Sequence, residues 1–425
     1  MLGASGFIGA AVCARLAREG FAIRAVSRGA SLPDLGEVEH VRFDISRATK
    51  TEAWLPLLSG VEAVVNCAGT LQDSPTDDAR GVHIIGLQSL IRACEKTRIA
   101  RVVHLSAAGI DYKSLSDFSK MKLQGDQALM DSSLDWVILR PSVVIGRAAY
   151  GGSALMRGLA AMPFAVPLKE AGPLQLVHLD DVVETVFACL RNDVPHREIL
   201  DLVGPRRYSL DEVIRMFRRW LRFPSARTVN FPVWTIRLLF KLGDLAGLLG
   251  WRPPVRTNAL LEMRRGSVGQ NESWTKATGI VPQDIETALA HEPSSVQERW
   301  FARLYLLKPL VFAVFGLFWI GTGVISFGPG WEHGMGLLLE GGLGPQSSVV
   351  TLSAGALVDI LIGIAILYRP TARLGLLAAL AISVIYAIVG TVLVPRLWAD
   401  PLGPMLKILP VTVLNLVALA ILKDR

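Results

Sequence analysis

Apolar positions along this chain follow one pattern up to about residue 220 and another beyond about residue 309. In the first region, short apolar runs with strand character recur at 21–27, 38–43, 63–67, 101–105 and 136–139. Between them, apolar residues return at the spacing of a helix face over 10–20, 51–58, 81–96 and 120–130. This alternation predicts an α/β fold of Rossmann type, a doubly wound parallel sheet with helices on both faces. In the second region the runs lengthen. Four segments, 309–327, 349–368, 374–394 and 402–422, come near the roughly 20 apolar residues that a bilayer core of ~30 Å requires. No Lys or Arg falls between Pro309 and Tyr368. An all-α domain of four transmembrane helices is expected there.

Composition agrees with this division. The 425 residues include 51% apolar and only 19% charged side chains, with a mean hydropathy of +0.41. Such values exclude a disordered chain and a wholly water-soluble one. The 44 Lys+Arg against 37 Asp+Glu leave a net charge of +7. Arg299, Arg303 and Lys308 precede the first predicted span, Arg369 and Arg373 separate the second and third, and Lys423 and Arg425 close the chain. The intervening loop 328–348 offers Glu332, His333 and Glu340, and the loop near Asp400 has Arg396 alone. The positive-inside rule then expects both termini and residues 1–300 in the cytoplasm, at a bacterial inner membrane. The N-terminal apolar stretch is interrupted by glycines and Arg15 and does not read as a cleavable signal. Cys13, Cys67, Cys94 and Cys189 lack metal-ligand spacing and suit reduced thiols. The seven histidines form no HxxxH pair, so no metal is expected. Neither an RNA-binding nor a DNA-reading motif is present, and nucleic acid is not an expected partner.

The candidate chemistry begins at Gly3-Ala4-Ser5-Gly6-Phe7-Ile8-Gly9. Gly3 permits a tight turn, Gly6 lets the backbone approach a pyrophosphate, and Gly9 lets the following helix pack against the sheet. The unpaired N–H groups of that helix would face the phosphates. About 20 residues on, where ribose recognition belongs, the chain has Ser27-Arg28 rather than an acidic residue. A hydroxyl and a guanidinium suit a 2′-phosphate, which favours NADP(H) over NAD(H). A solvated arginine at a strand end is the plain alternative.

Together with Asp44, Asn66-Cys67-Ala68-Gly69, Leu105-Ser106-Ala107-Ala108, Leu139-Arg140-Pro141-Ser142 and His178-Leu179-Asp180-Asp181-Val182, this run resembles an atypical or extended short-chain dehydrogenase/reductase (SDR). The flavour is similar to the NmrA-like branch and the SDR-like accessory subunit of respiratory complex I. The C-terminal part resembles the small membrane domain called DoxX-like. The domain division expected is 1–222, a helical lobe or linker over 223–300, and 301–425. By resemblance, Gly3, Ser5, Gly6, Phe7, Ile8, Gly9, Ser27 and Arg28 would contact phosphates and ribose. Asp44 would sit by the adenine, Ala68 and Gly69 beneath the cofactor, and Pro141 and Val143 against the nicotinamide.

Two departures from the family matter. Only Met1 and Leu2 precede Gly3, so the strand entering the turn is expected to be mostly missing, which puts cofactor affinity in doubt unless translation begins upstream. The family's Tyr-x-x-x-Lys pair, in which the lysine lowers the tyrosine pKa and holds the nicotinamide ribose, reads here as Phe118 and Lys122. Tyr112 does not rescue the register, because Ser116 stands four residues on. Ser106 retains the capacity to polarise a carbonyl, and Lys122 its cofactor-holding role.

Residues 209–221 suggest a helix with a basic face, and 231–251 a tryptophan-bounded amphipathic helix. The latter fits either the headgroup layer of a membrane or a lid or core helix of the SDR lobe. Asp359 and Lys407 fall inside predicted spans, where ionisable groups are costly. They are expected either to meet and line a polar spot for a redox lipid or proton, or to form a structural pair, with Lys407 also able to snorkel. Two functions from different classes stay open: an NADP(H)-dependent oxidoreductase acting on a lipophilic or quinone-like substrate, and a non-catalytic dinucleotide-binding scaffold, assembly factor or sensor with a respiratory or membrane protein partner. A nucleotide-sugar epimerase or dehydratase is a third, which would normally need the missing tyrosine.

Overall fold

Six parallel strands carry the sheet: β1 (Ile23–Ser27), β2 (Val38–Arg42), β3 (Ala63–Asn66), β4 (Arg101–Leu105), β5 (Trp136–Pro141) and β6 (Glu198–Leu202). The computed structural model describes residues 1–29, 36, 38–75, 77–111, 116–168, 170–191 and 193–423; Tyr112 and Arg425, weighed above, lie outside them. β4 and β5 are buried along their whole length. Strands covered on both faces favour apolar side chains, as at Val102, Val103, Leu105 and Trp136–Leu139, so Arg101, His104 and Arg140 must find polar partners inside. β2 pairs with β1, and β3, β4, β5 and β6 follow one another. Leu2 stands between the two groups. It bridges Val26 on one side and Asn66 on the other. Leu2 N donates to Val65 O at 2.8 Å, and Cys67 N to Leu2 O at 3.0 Å. Leu2 thus holds the central place, sets the order β2-β1-Leu2-β3-β4-β5-β6 and creates the switch point at which such sheets bind ligands.

Residues alternate between the two faces. Val65, Val103 and Leu139 join a core with α1 (Phe7–Arg18), and Val64, Val102 and Ile138 join a second core with α2 (Gly86–Thr97) and Leu129 of α3 (Asp117–Met130). α4 (Leu179–Leu190) packs with α1, and neither α4 nor β6 was anticipated from periodicity. The helix expected over 81–96 opens as a π-turn at Gly81–Ile85. Gly86 then comes so close to the chain that a Cβ there would lie 2.4 Å from Ile45 O. The segment 51–58 is two short turns, with Pro56 opening the second. α5 (Leu210–Trp220) begins at a capping box formed by Ser209 and Glu212. Three further helices matter below: α6 (Val233–Leu248), α7 (Thr257–Arg265) and α8 (Val296–Tyr305). All four cysteines are free thiols.

The chain divides into two units, Met1–Gly247 with Pro254–Arg303, and Leu248–Pro253 with Leu304–Arg425. The second contains α9 (Leu307–Phe327), α10 (Trp331–Glu340), α11 (Pro345–Leu367), α12 (Ala372–Leu393) and α13 (Ile408–Ile421). Among the described residues, α9, α11 and α12 are long and apolar enough to cross a membrane. α13 corrects the expectation of a fourth long span over 402–422. Its 14 residues reach about 21 Å at ~1.5 Å per residue. Pro401, Pro404 and Gly403 at φ +58° hold the preceding stretch in turns. Lys407 therefore precedes the helix instead of lying inside it, and is exposed. The presumed loop 328–348 likewise contains α10. α9 and α11 cross backbone to backbone: a Cβ on Gly363 would sit 2.5 Å from Gly316 O, and one on Gly323 2.4 Å from Ala356 O. Small residues permit this approach where lipid gives no hydrophobic drive.

Asp359 does not meet Lys407. Its buried carboxylate accepts a hydrogen bond from Tyr386 Oη at 2.9 Å, and no ion pair joins it to Lys407 among the described residues. At one end of the bundle, Arg369 N donates to Leu249 O at 2.9 Å, Arg369 Nη2 to Leu422 O at 2.8 Å, and Trp251 Nε1 to Leu367 O at 2.6 Å. Arg396 and Glu340 pair at the opposite end.

Candidate functional site

The glycine turn sits at the switch point. Gly3 adopts φ +69°, and a Cβ on it would fall 2.8 Å from Ala68 N and from Cys67 C. A Cβ on Gly9 would lie 2.2 Å from Gly3 O. Gly6 precedes α1 as its N-cap without a side-chain hydrogen bond, so the first N–H groups of the helix keep their capacity for an anion. Ser5 is exposed, and Phe7 and Ile8 are half-buried. Phe7 stacks on Tyr150 with centroids 5.8 Å apart. Ala68 N donates to Asn66 Oδ1 at 3.1 Å, which fixes the loop facing Gly3.

Ser27 ends β1. Arg28 follows it and, though partly exposed, pairs with the buried Asp77 at 2.7 Å. Asp44 caps the short turn Ile45–Arg47, accepting from Ser46 N at 3.1 Å and from Ser46 Oγ at 2.8 Å.

On α3, Lys122 is buried, and its Nζ donates to Leu105 O at 2.7 Å. Burial pulls its pKa down to about 8, partly opposed by Asp126. A Cβ on Gly69 would stand 3.8 Å from Lys122 Nζ and 3.4 Å from His83 Cε1, so Gly69, His83 and Lys122 converge. Phe118, in place of the family's tyrosine, meets His83 edge-on with centroids 5.5 Å apart. His83 Nε2 lies 2.8 Å from Thr70 O. Burial, and then the Lys122 charge, push its pKa down to about 3. It is therefore a neutral, structurally engaged ring, not a spare acid. Ser106 is buried, and its Oγ closes no hydrogen bond.

Beneath these residues lies a polar network that the sequence reading missed. Asp126 is wholly buried and pairs with Arg140 at 3.0 Å; Arg140 reaches Asp111 at 2.7 Å. Burial raises the Asp126 pKa, opposed by the nearby Ser106 hydroxyl, Arg140 and Lys122. His104 Nδ1 lies 3.1 Å from Asn66 Nδ2, and burial holds this imidazole neutral. A signal existed: Ser119, Lys122 and Asp126 share one helix face, and His104 and Arg140 interrupt apolar strands. Glu262 carried no such signal. From α7 it accepts hydrogen bonds from Ser116 and Ser119 at the start of α3, while Arg265 holds it at 2.8 Å and also donates to Ala108 O at 2.8 Å.

Pro141 ends β5, and its carbonyl accepts from Ala108 N at 3.0 Å; Val143 is half-buried nearby. The structure thus brings Gly3, Ala68 and Gly69 together, and Ser106, Lys122 and Pro141 around the ends of β4 and β5. His178, Asp180 and Glu292 also come within 4.8 Å of one another, a grouping that histidine spacing concealed. Asp180 N donates to His178 Nδ1 at 3.4 Å, so this imidazole caps α4.

Residues 3–163 match the NAD(P)H-binding family, and residues 316–416 the DoxX-like family. The chain is 26% identical over 308 residues to the NADH-ubiquinone oxidoreductase 40 kDa subunit of Neurospora crassa, covering 68% of this chain and 77% of that protein. It is 24% identical over 219 residues to the ceramide reductase of Caulobacter vibrioides, covering 50% of this chain and 67% of that protein. Among solved structures, MoeE5 in complex with UDP-glucuronic acid and NAD superposes with a TM-score of 0.51 at 20% identity, over 68% of this chain and 95% of its own, a likeness of fold. The chain joins an NAD(P)-binding, SDR-like Rossmann domain to a DoxX-like helical domain.

Proposed function

We propose that this protein holds a nicotinamide dinucleotide at a membrane surface without performing the tyrosine-dependent carbonyl chemistry typical of the SDR family it resembles. Phe118 against His83 carries this reading: the position of the usual proton donor is a hydrocarbon ring, and its neighbour is a neutral imidazole bound to backbone. The residues fit the cofactor, since the cradle at Gly3 and Gly9 leaves no room for a side chain and the start of α1 is uncapped. The Gly3–Gly9 turn with Ser5, Phe7 and Ile8 would hold the pyrophosphate, Asp44 the adenine side, and Ala68, Gly69, Pro141, Val143 and Lys122 the nicotinamide half. Ser27 and Arg28 support NADP(H) over NAD(H), with Arg28 shared between Asp77 and a 2′-phosphate.

A second reading rests on Ser106, whose buried hydroxyl closes no hydrogen bond. A nicotinamide held there would supply hydride chemistry, Ser106 would polarise the carbonyl of a lipophilic quinone-like acceptor, and water would supply the proton in place of a tyrosine. Either way, basic residues 299, 303, 308, 369 and 373 support a bacterial inner-membrane location with residues 1–300 cytoplasmic. A respiratory or membrane protein partner suits the scaffold reading. The test uses the full chain in lipid nanodiscs: NADPH fluorescence for binding, then absorbance at the reduced nicotinamide band with a short-chain quinone. Binding without turnover is expected. Turnover establishes the second reading instead, and absence of binding overturns both.

A further inference from the structure

Among the described residues of the dinucleotide-binding unit, large exposed apolar side chains concentrate in two stretches, 229–245 and 296–300; elsewhere only Leu71, Tyr150 and Val281 are exposed. α6 fills the first. One of its faces is consumed by protein: Phe240 is buried, and Gly243 packs so tightly that a Cβ would lie 1.7 Å from Val255 O. The opposite face presents Trp234, Leu238, Leu242 and Leu245 at helical spacing, between 48% and 66% exposed. A helix apolar on both faces belongs where both are covered. α8 also exposes apolar side chains opposite a buried side, which there includes Glu298 paired with Arg147. Ala302 is buried, while Val296 and Trp300, four residues apart, are 52% and 64% exposed.

We propose that these two faces rest on the phospholipid bilayer, as an in-plane surface separate from the spanning helices. Three observations select lipid as the occupant. Each helix runs by chain continuity into the membrane unit, α6 through Leu248–Pro253 and α8 through Leu304. Each exposed stripe carries a tryptophan, the side chain favoured at headgroup depth. Exposed Arg237, Lys241 and Arg303 accompany the stripes and complement anionic headgroups. This inference rests on the second unit being membrane-embedded, and the experiment separates the two.

Nitroxide labels are placed one at a time on Leu238→Cys, Leu245→Cys and Trp300→Cys in the full chain. The protein is held in nanodiscs of phosphatidylcholine and phosphatidylglycerol, and the signal of the unsubstituted chain is subtracted. Leu377→Cys in α12 reports the spanning domain, and Val281→Cys reports water. Collisional relaxation by oxygen and by a water-soluble nickel chelate is compared. Labels at 238, 245 and 300 are expected to favour oxygen, as at 377. Nickel-accessible labels at all three, with 377 still in lipid, overturn the proposal alone. Labels shielded from both reagents show a protein cover, such as a second copy, and overturn it too. Nickel access at 377 overturns the membrane reading itself.

Discussion

The ring of Phe118 meets that of His83 at an interplanar angle of 83°. By the resemblance to SDRs, Phe118 stands where that family places its tyrosine. Gly125, on the same helix, lets α3 approach His83 so closely that a Cβ would lie 2.8 Å from His83 O. The contact is therefore set by backbone packing. Phe118→Tyr is expected to leave NADPH affinity within about twofold, because the ring contact persists and edge-to-face pairs contribute only ~1 kcal/mol. Fluorescence titration of both proteins in nanodiscs checks it. A larger loss would show that the phenyl edge itself touches the cofactor.

Lys122 gives a pH dependence. Its folded pKa is about 8 against an ordinary 10.5. The ammonium is present below about 8 and lost above it, so dinucleotide affinity should fall as pH rises through 8. The unfolded chain keeps that proton up to 10.5, so the contribution of this group to stability rises with pH between the two values. Lys122→Met should weaken binding at pH 7 and flatten the affinity profile around pH 8. A profile unchanged in the variant would assign the effect elsewhere.

Coenzyme choice turns on Arg28, paired with Asp77 at 2.7 Å. Arg28→Ala should weaken NADPH binding about tenfold while changing NADH little, the loss of a charge-assisted hydrogen bond of ~1.5 kcal/mol. Parallel titrations with the two coenzymes read this directly. Equal losses would make Arg28 a structural partner of Asp77.

In the membrane domain, Tyr386→Phe removes the hydrogen bond to Asp359 and leaves a buried carboxylate short of a donor. Thermal unfolding in detergent should show a loss of ~1–3 kcal/mol. Lys407→Met, by contrast, should be neutral, since Lys407 is exposed and does not reach Asp359.

Local physics made much of this protein legible in its sequence. Short apolar runs located β1 to β5, and period-3.6 spacing most of the helices around them, because a strand buried on both faces is apolar along its length while a helix buries only one face. Gly3 and Gly9 signalled the cradle because no other residue fits where backbones nearly touch. Long apolar runs with almost no charge marked α9, α11 and α12, since hydrocarbon tolerates few ions. What the spacing could not decide was contact between distant segments. Leu2 completing the sheet from both sides, Asp359 choosing Tyr386 over Lys407, Asp126 meeting Arg140, and Glu262 bridging to Ser116 and Ser119 each depend on how elements far apart in the chain pack. Proline and glycine shortened α13 where apolar content alone read as a full span. Tertiary packing decided these outcomes because a buried polar group takes whichever partner the fold brings within hydrogen-bond reach, and no local period encodes that choice.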